Sequence, residues 1–142
     1  MESQNAIFAS PAPPGPRVIE PPGEFIAVKL QSDVSARGWS TGEVDNWRDA
    51  GWSFPCRRGT SALEVIVTAD DPRWFLQIVP IYLPGFLGRI LGRAPSATPA
   101  DTYALANDVH AVLSSDGFSD CLWCWDGPPD ENSSSEPTPA SR

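Results

Sequence analysis

The sequence predicts an α+β fold in which two helices cover one face of a mostly antiparallel sheet of about five strands. Several short segments alternate apolar and polar residues, which is the period of half-buried strands. One segment in the C-terminal half carries apolar residues at helical spacing between clear start and stop signals. The turns between the middle strands are too short for a crossover, so those strands must pair antiparallel. The predicted order is strand, helix, three-strand meander, helix, strand.

Composition places the folded unit in the middle of the chain. Of the 142 residues 41% are hydrophobic, which argues against a wholly disordered chain. Residues 1–23 are rich in proline, which lacks the amide hydrogen that helices and sheets need. Residues 128–142 are rich in proline, serine and acidic residues. We therefore expect a disordered N-terminal tail, a single domain over residues 24–127, and a disordered acidic C-terminal tail.

The first two elements are predicted from short patterns. In residues 24–31 isoleucine, valine and leucine occupy every second position, which indicates a strand. Ser40 and Glu43 have the spacing of a capping box, so a short helix is expected to begin there. Trp47 would pack that helix onto the domain, and Gly51 would end it.

A three-strand meander is predicted next. Its strands are residues 52–56, residues 63–68 and residues 74–80, each with apolar residues on one face. Residues 57–60 and residues 70–72 separate these strands and contain the glycine, aspartate and proline that favour tight turns.

The remaining elements differ in the strength of their signals. Residues 81–93 are apolar but interrupted by prolines and glycines, and one or two helical turns are expected there. The clearest helix covers residues 99–116, because Thr98 is a good N-cap and Asp101 suits the positive end of the helix dipole. Residues 118–125 alternate again and predict the last strand.

Charge and hydropathy restrict the possible partners. The formal net charge of −8 disfavours non-specific binding to nucleic acid or to anionic membranes, and it favours a basic protein partner. Residues 1–17 lack the apolar core of a secretory signal, and residues 75–91 are broken by polar residues and prolines. We therefore expect a cytosolic protein with reduced cysteines. Nearly all its basic residues are arginine, which is associated with GC-rich bacterial genomes.

Metal or nucleophilic chemistry would depend on four residues. Cys121 and Cys124 have the C-x-x-C spacing of zinc and redox sites, and Cys56 and His110 could complete a metal site or a Cys–His pair. The C-x-x-C segment alternates like a strand, however, which would place its two thiols on opposite faces of the sheet. We therefore expect no cofactor, no metal and no enzymatic activity. An uncharacterised small enzyme or a metal-dependent regulator that uses these four residues remains an alternative.

The chain carries six tryptophans, and two of them share a strand face. Trp123 and Trp125 lie two residues apart, so their rings either pack in the core or form an aromatic surface. Exposed tryptophans within a charged rim are typical of protein interfaces. We expect a protein-binding protein, such as an inhibitor or immunity protein that occludes its target. The predicted contact residues are three aromatic anchors and three acidic neighbours, namely Trp74, Trp123, Trp125, Asp116, Asp120 and Asp126. A ligand-binding module that uses the Trp123 and Trp125 face is the alternative.

Overall fold

Two helices cover one face of an antiparallel sheet in the computed structural model, which describes residues 3–10, 21–81 and 97–139. This confirms the α+β class, although the sheet contains seven strands and not five. In chain order the elements are β1 (Gln4–Ala9), α1 (Glu24–Ser35), β2 (Ser40–Thr41), β3 (Asp45–Trp47), β4 (Gly51–Arg58), β5 (Ser61–Asp70), β6 (Arg73–Pro80), α2 (Pro99–Ser115) and β7 (Ser119–Trp125).

The first and last strands of the chain pair with each other. The strand order is β2–β4–β5–β6–β1–β7, and β3 also pairs with β4. Every pair is antiparallel. Strand β1 therefore lies inside the sheet, between β6 and β7, although the sequence places it at the N-terminus.

Strand β1 lies within the N-terminal residues for which the sequence predicts a tail. The sequence predicts a tail up to residue 23, whereas Gln4–Ala9 form a strand. This strand precedes the first proline of the chain, so all its amide groups can join the sheet. Ala6 and Phe8 are fully buried beneath the helices. Residues 11–20 lie outside the described part of the chain.

Helix α1 replaces the strand predicted over residues 24–31. Ile26, Leu30 and Val34 are buried on one side of the helix, where they join the core. Residues four apart share a side both in a helix and in a strand, so Ile26 and Leu30 fit either structure. Val28 distinguishes the two structures. A strand would place Val28 on the same side as Ile26 and Leu30, whereas on the helix its side chain is 47% exposed.

Residues 40–47 form an edge of the sheet and not the short helix that the capping-box spacing predicts. Strands β2 and β3 both pair with β4, and the amide of Gly42 between them donates to the carbonyl oxygen of Pro55 at 3.0 Å. A helix as short as the predicted one has little stability of its own. Pairing with β4 satisfies the backbone of this segment and leaves Ser40 and Glu43 outside any helix.

The meander, the second helix and the last strand are confirmed. Strands β4, β5 and β6 follow one another through two-residue turns. At the start of α2, the Thr98 hydroxyl accepts from the amide of Asp101 at 3.2 Å, and the Asp101 carboxylate accepts from the amide of Thr98 at 2.9 Å. The helical turns predicted over residues 81–93 fall almost entirely on residues 82–96, which are outside the described part of the chain.

The two helices run antiparallel to each other over the sheet. The Lys29 ammonium lies 3.6 Å from the Asp116 carboxylate, and the Arg37 guanidinium lies 3.5 Å from that of Asp108, so two ion pairs connect the two helical segments. Helix α1 contacts β2, β4 and β5, and α2 contacts β6, β1 and β7. None of the described helices combines the length and the apolar character needed to cross a membrane.

Candidate functional site

Two of the six predicted contact residues lie in the core. Trp74 is fully buried and donates its indole N–H to the Ser10 hydroxyl at 3.1 Å. Trp123 exposes 1% of its surface and donates its indole N–H to Nδ1 of His110 at 3.1 Å. This placement corrects the prediction that Trp74 and Trp123 are interface anchors, because neither ring is accessible. It also removes Trp123 as one half of a ligand-stacking pair with Trp125.

The other four predicted residues lie near opposite ends of β7. Asp116 caps the end of α2 and pairs with Lys29, and Asp120 lies exposed at the start of β7 with a φ of 56°. Trp125 and Asp126 lie at the other end of the strand. A strand rises about 3.3 Å per residue, so Asp120 and Trp125 are separated by roughly 17 Å. The predicted aspartates therefore do not form one rim around a tryptophan.

The three thiols and the histidine do not converge on one point. Cys56 is buried and Cys121 packs against the same helix-facing core. Cys124 lies on the opposite face of the sheet, as its spacing from Cys121 predicts, and its thiol donates to the carbonyl oxygen of Gly127 at 3.0 Å. Among the described residues, no group of three His, Cys, Asp or Glu side chains could hold a metal ion.

Burial also makes the thiols poor nucleophiles. It raises the pKa of Cys56 to about 12 and, with a smaller contribution from the charge of Asp120, the pKa of Cys121 to about 11. Burial raises the pKa of Cys124 as well, although the hydrogen bond to Gly127 opposes it. Because the thiolate is the reactive form, these environments disfavour covalent or redox catalysis at neutral pH.

The residues that follow β7 pack against the sheet, and we call residues 127–139 the C-terminal segment. Within it, Ser134 forms an antiparallel bridge with Trp123. The amide of Trp123 donates to the carbonyl oxygen of Ser134 at 2.7 Å, and the amide of Ser134 donates back at 3.1 Å. Pro129 and Pro137 are buried. These contacts belong to residues within the predicted tail of residues 128–142, whose last three residues are outside the described part.

Side-chain donors on β1 and β7 hold the two ends of the C-terminal segment. The Asn5 amide group donates to the carbonyl oxygen of Gly127 at 2.9 Å. The Gln4 amide group and the Trp125 indole both donate to the carbonyl oxygen of Thr138, each at 3.3 Å. Sequence reasoning missed Gln4 and Asn5. The sequence feature that could have indicated these contacts is Trp125, because a packed indole N–H usually requires a hydrogen-bond acceptor nearby.

Four carboxylates project from this region of the molecule. Asp126 exchanges two hydrogen bonds with Ser3, since its Oδ1 accepts from the Ser3 amide at 2.9 Å and its own amide donates to the Ser3 carbonyl oxygen at 2.8 Å. Asp130, Glu131 and Glu136 follow along the C-terminal segment, and all four acidic residues are exposed. Residues 126–139 contain no basic residue.

An open groove separates β7 from the C-terminal segment. Its volume is about 420 Å³, and its lining includes Trp125 and the serines at positions 133 and 134. Trp125 is half-buried, so part of its ring faces this groove. The candidate site therefore combines a partly exposed indole with acidic side chains at one edge of the sheet.

No protein-family model matches the chain, and no curated protein matches its sequence.

Proposed function

We propose that the protein binds a basic partner protein stoichiometrically and occludes it, as an inhibitor or immunity protein does. The observation that carries this proposal is the acidic C-terminal segment packed along the edge of the sheet. It presents Asp130, Glu131 and Glu136 beside Asp126, all exposed. We also propose that it is a bacterial cytosolic protein.

The position of these carboxylates favours binding of an oppositely charged surface. Hydrogen bonds to Gly127, Ser134 and Thr138 hold the backbone that carries them. These hydrogen bonds bring the four negative charges together at one edge of the sheet, where they jointly attract a basic surface. The ion pairs among the described residues involve other carboxylates, so these four are not neutralised within the described part of the protein.

Long-range electrostatic attraction also favours a basic partner. The net charge of −8 attracts a basic protein before contact, and complementary charges raise the association rate. At contact, the partly exposed ring of Trp125 supplies the aromatic surface that interfaces often place beside charged groups. The expected interface thus centres on Trp125 and the C-terminal segment, and not on the buried tryptophans.

Capture of a partner by the full chain, followed by reconstitution with the purified partner, tests the proposal. The test variant combines Asp130→Asn, Glu131→Gln and Glu136→Gln, which keep the side-chain shapes and remove three charges. The matched control combines Glu24→Gln, Glu43→Gln and Asp71→Asn, three exposed carboxylates in other parts of the structure.

We expect a basic partner that binds at a ratio of one to one, with an affinity that falls as salt is added. The test variant should bind it about tenfold more weakly, which corresponds to roughly 0.5 kcal/mol for each exposed charge. The control variant should lose less than about threefold. Equal losses in both variants, or a captured partner that is acidic, would contradict the proposal.

A further inference from the structure

We infer that the basic partner contributes an extended segment that adds to the sheet at the edge of β7 and displaces the C-terminal segment from it. This inference rests on the proposed function, and it specifies how the partner is held. Three observations on the described residues support it: unpaired backbone groups on the edge of β7, the single backbone bridge that the C-terminal segment makes there, and the charges at the two ends of the strand.

The edge of β7 has backbone groups that are open to pairing. Trp123 directs its amide and carbonyl groups away from β1 and toward Ser134. In an antiparallel ladder alternate residues point the same way, so Trp125 directs its own groups outward as well. No described residue makes a backbone hydrogen bond with those outward groups of Trp125. An added strand would pair with both residues at once.

The opposite edge of the sheet is protected against strand addition. It consists of β2 and β3, with two and three residues, and residues 42–44 interrupt them. Asp45 at the start of β3 is exposed. Short, interrupted and charged edge strands are the usual protection against pairing with another chain. Strand β7, with seven residues, is the longer edge.

The C-terminal segment pairs its backbone with only one residue of the β7 edge. Its pairing consists of the single bridge between Ser134 and Trp123. Beneath it, the side-chain oxygens of Gln4 and Asn5 are buried without a donor, although the nitrogens of the same amides donate to the segment. A buried acceptor without a partner is unfavourable. Release of the segment would let water hydrogen-bond to these oxygens. This gain would offset part of the free energy lost with the hydrogen bonds between the segment and the sheet.

Charges at the ends of β7 select the incoming strand. Asp120 and Asp126 flank the edge, and both are exposed. If two copies of β7 paired antiparallel about Trp123, the end of each strand near Asp120 would lie beside the end of the other near Asp126. Like charges directly opposite each other destabilise a strand pair. A strand from a different protein, with a basic residue near each end, avoids this repulsion and pairs with both aspartates.

A synthetic peptide, Lys-Val-Thr-Val-Thr-Val-Lys, tests this inference on the full-length protein. One control peptide carries glutamate at both ends, and another carries proline at the central position, where it removes a backbone donor. Binding is followed by tryptophan fluorescence, and amide hydrogen exchange is followed residue by residue. The lysine peptide should protect the Trp125 amide and expose the Ser134 amide, and both controls should bind at least about tenfold more weakly.

A matched pair of variants tests the displacement. Ser134→Pro removes the amide that donates to Trp123, whereas Ser135→Pro makes the same change at a neighbouring exposed position. Ser134→Pro should bind the lysine peptide about fivefold more tightly than the wild type, the factor that corresponds to about 1 kcal/mol. Ser135→Pro should change the affinity less than about twofold.

The outcomes separate this inference from the proposed function. If the lysine peptide binds without protecting the Trp125 amide, or if both proline variants have equal affinity, strand addition at β7 is overturned while binding of a basic partner stands. Absence of binding to the Ser134→Pro variant at millimolar peptide also overturns it. The proposed function itself fails only in the capture experiment with the charge variants.

Discussion

Trp123 on β7 and His110 on α2 form a direct contact between the sheet and the helix layer. The indole N–H donates to Nδ1 of the imidazole at 3.1 Å, and the two rings meet edge to face with their centroids 6.0 Å apart. The contact joins the single histidine of the chain to a tryptophan that the sequence analysis predicts as a contact residue. Both residues therefore contribute to stability through this hydrogen bond.

A double-mutant cycle on this pair should reveal the hydrogen bond. Trp123→Phe removes the donor and part of a buried ring, so we expect the free energy of unfolding to fall by about 1–3 kcal/mol. His110→Ala should have a smaller effect because the imidazole is only half-buried. The coupling energy between the two changes should be about 0.5–1.5 kcal/mol, measured by urea denaturation. Effects that add to within about 0.3 kcal/mol would show that the contact is not energetically significant.

The elements that the sequence predicts correctly have several local signals that agree. Helix α2 has an N-cap at Thr98, a reciprocal acidic partner at Asp101 and an apolar stripe, and all three indicate the same boundary. The meander has alternating strands and turn residues that indicate one register. Agreement between independent signals is what makes such predictions reliable.

The elements that the sequence predicts wrongly depend on tertiary contacts. The prolines between residues 11 and 22 make the start of the chain look like a tail, yet β1 lies inside the sheet because β6 and β7 lie on either side of it. Ile26 and Leu30 fit a strand and a helix equally, and contact with the sheet selects the helix. A local sequence pattern carries no information about which distant residues pack against a segment.

The candidate site was only partly predictable for a similar reason. Alternation places Trp123 and Trp125 on one face, but it does not say whether that face is covered. The structure buries Trp123 against His110 and leaves Trp125 partly exposed near Thr138. The contacts of the C-terminal segment involve Asn5, more than a hundred residues away in sequence, so no local signal could reveal them.

Two glycine substitutions should separate backbone strain from packing. Gly23 and Gly38 have φ values of 111° and 101°, a region that side chains with a Cβ disfavour. A Cβ at Gly23 would lie 2.8 Å from Cζ3 of the buried Trp74 ring, whereas a Cβ at Gly38 would meet nothing within 4 Å. We expect Gly38→Ala to cost about 1–2 kcal/mol and Gly23→Ala about 1–3 kcal/mol more, by thermal or urea unfolding. Equal costs would show that the Trp74 ring moves aside freely.

The capping box of α2 predicts how stability changes with pH. The backbone hydrogen bond from Thr98, more than the nearby hydroxyls and the charge of Arg58, holds the pKa of Asp101 below its ordinary value of 3.8. A depressed pKa in the folded state means that the carboxylate stabilises the protein above pH 3.8, and that this stability is lost as the pH falls through the folded-state pKa.

Asp101→Asn tests this dependence, because the amide keeps an acceptor but does not titrate in this range. The wild type should be more stable than the variant by about 0.5–1 kcal/mol at pH 6, owing to the charge at the helix N-terminus. The difference should shrink as the pH is lowered below 3.8. Urea denaturation at a series of pH values measures it, and a difference that stays constant down to low pH would contradict the assignment.

The three cysteines should react with iodoacetamide at different rates in the native protein. Burial raises the pKa of Cys56 to about 12 and that of Cys121 to about 11, so both are almost entirely protonated at pH 8. Cys124 is partly exposed beside the C-terminal segment, and its thiol is the most accessible of the three. We expect Cys124 to be alkylated first, then Cys121, and Cys56 only on unfolding.

Peptide mapping by mass spectrometry after timed alkylation measures these rates. In urea the three thiols should react at similar rates, which provides the control for intrinsic reactivity. Raising the pH above 9 should accelerate the alkylation of Cys121 in the native protein, because its thiolate population keeps growing up to a pKa of about 11. An unfolded thiol, with the ordinary pKa of 9.0, is already largely ionised there. Native Cys56 that reacts as fast as Cys124 at pH 8 would show that the core around β4 opens readily, and it would restore Cys56 as a candidate nucleophile.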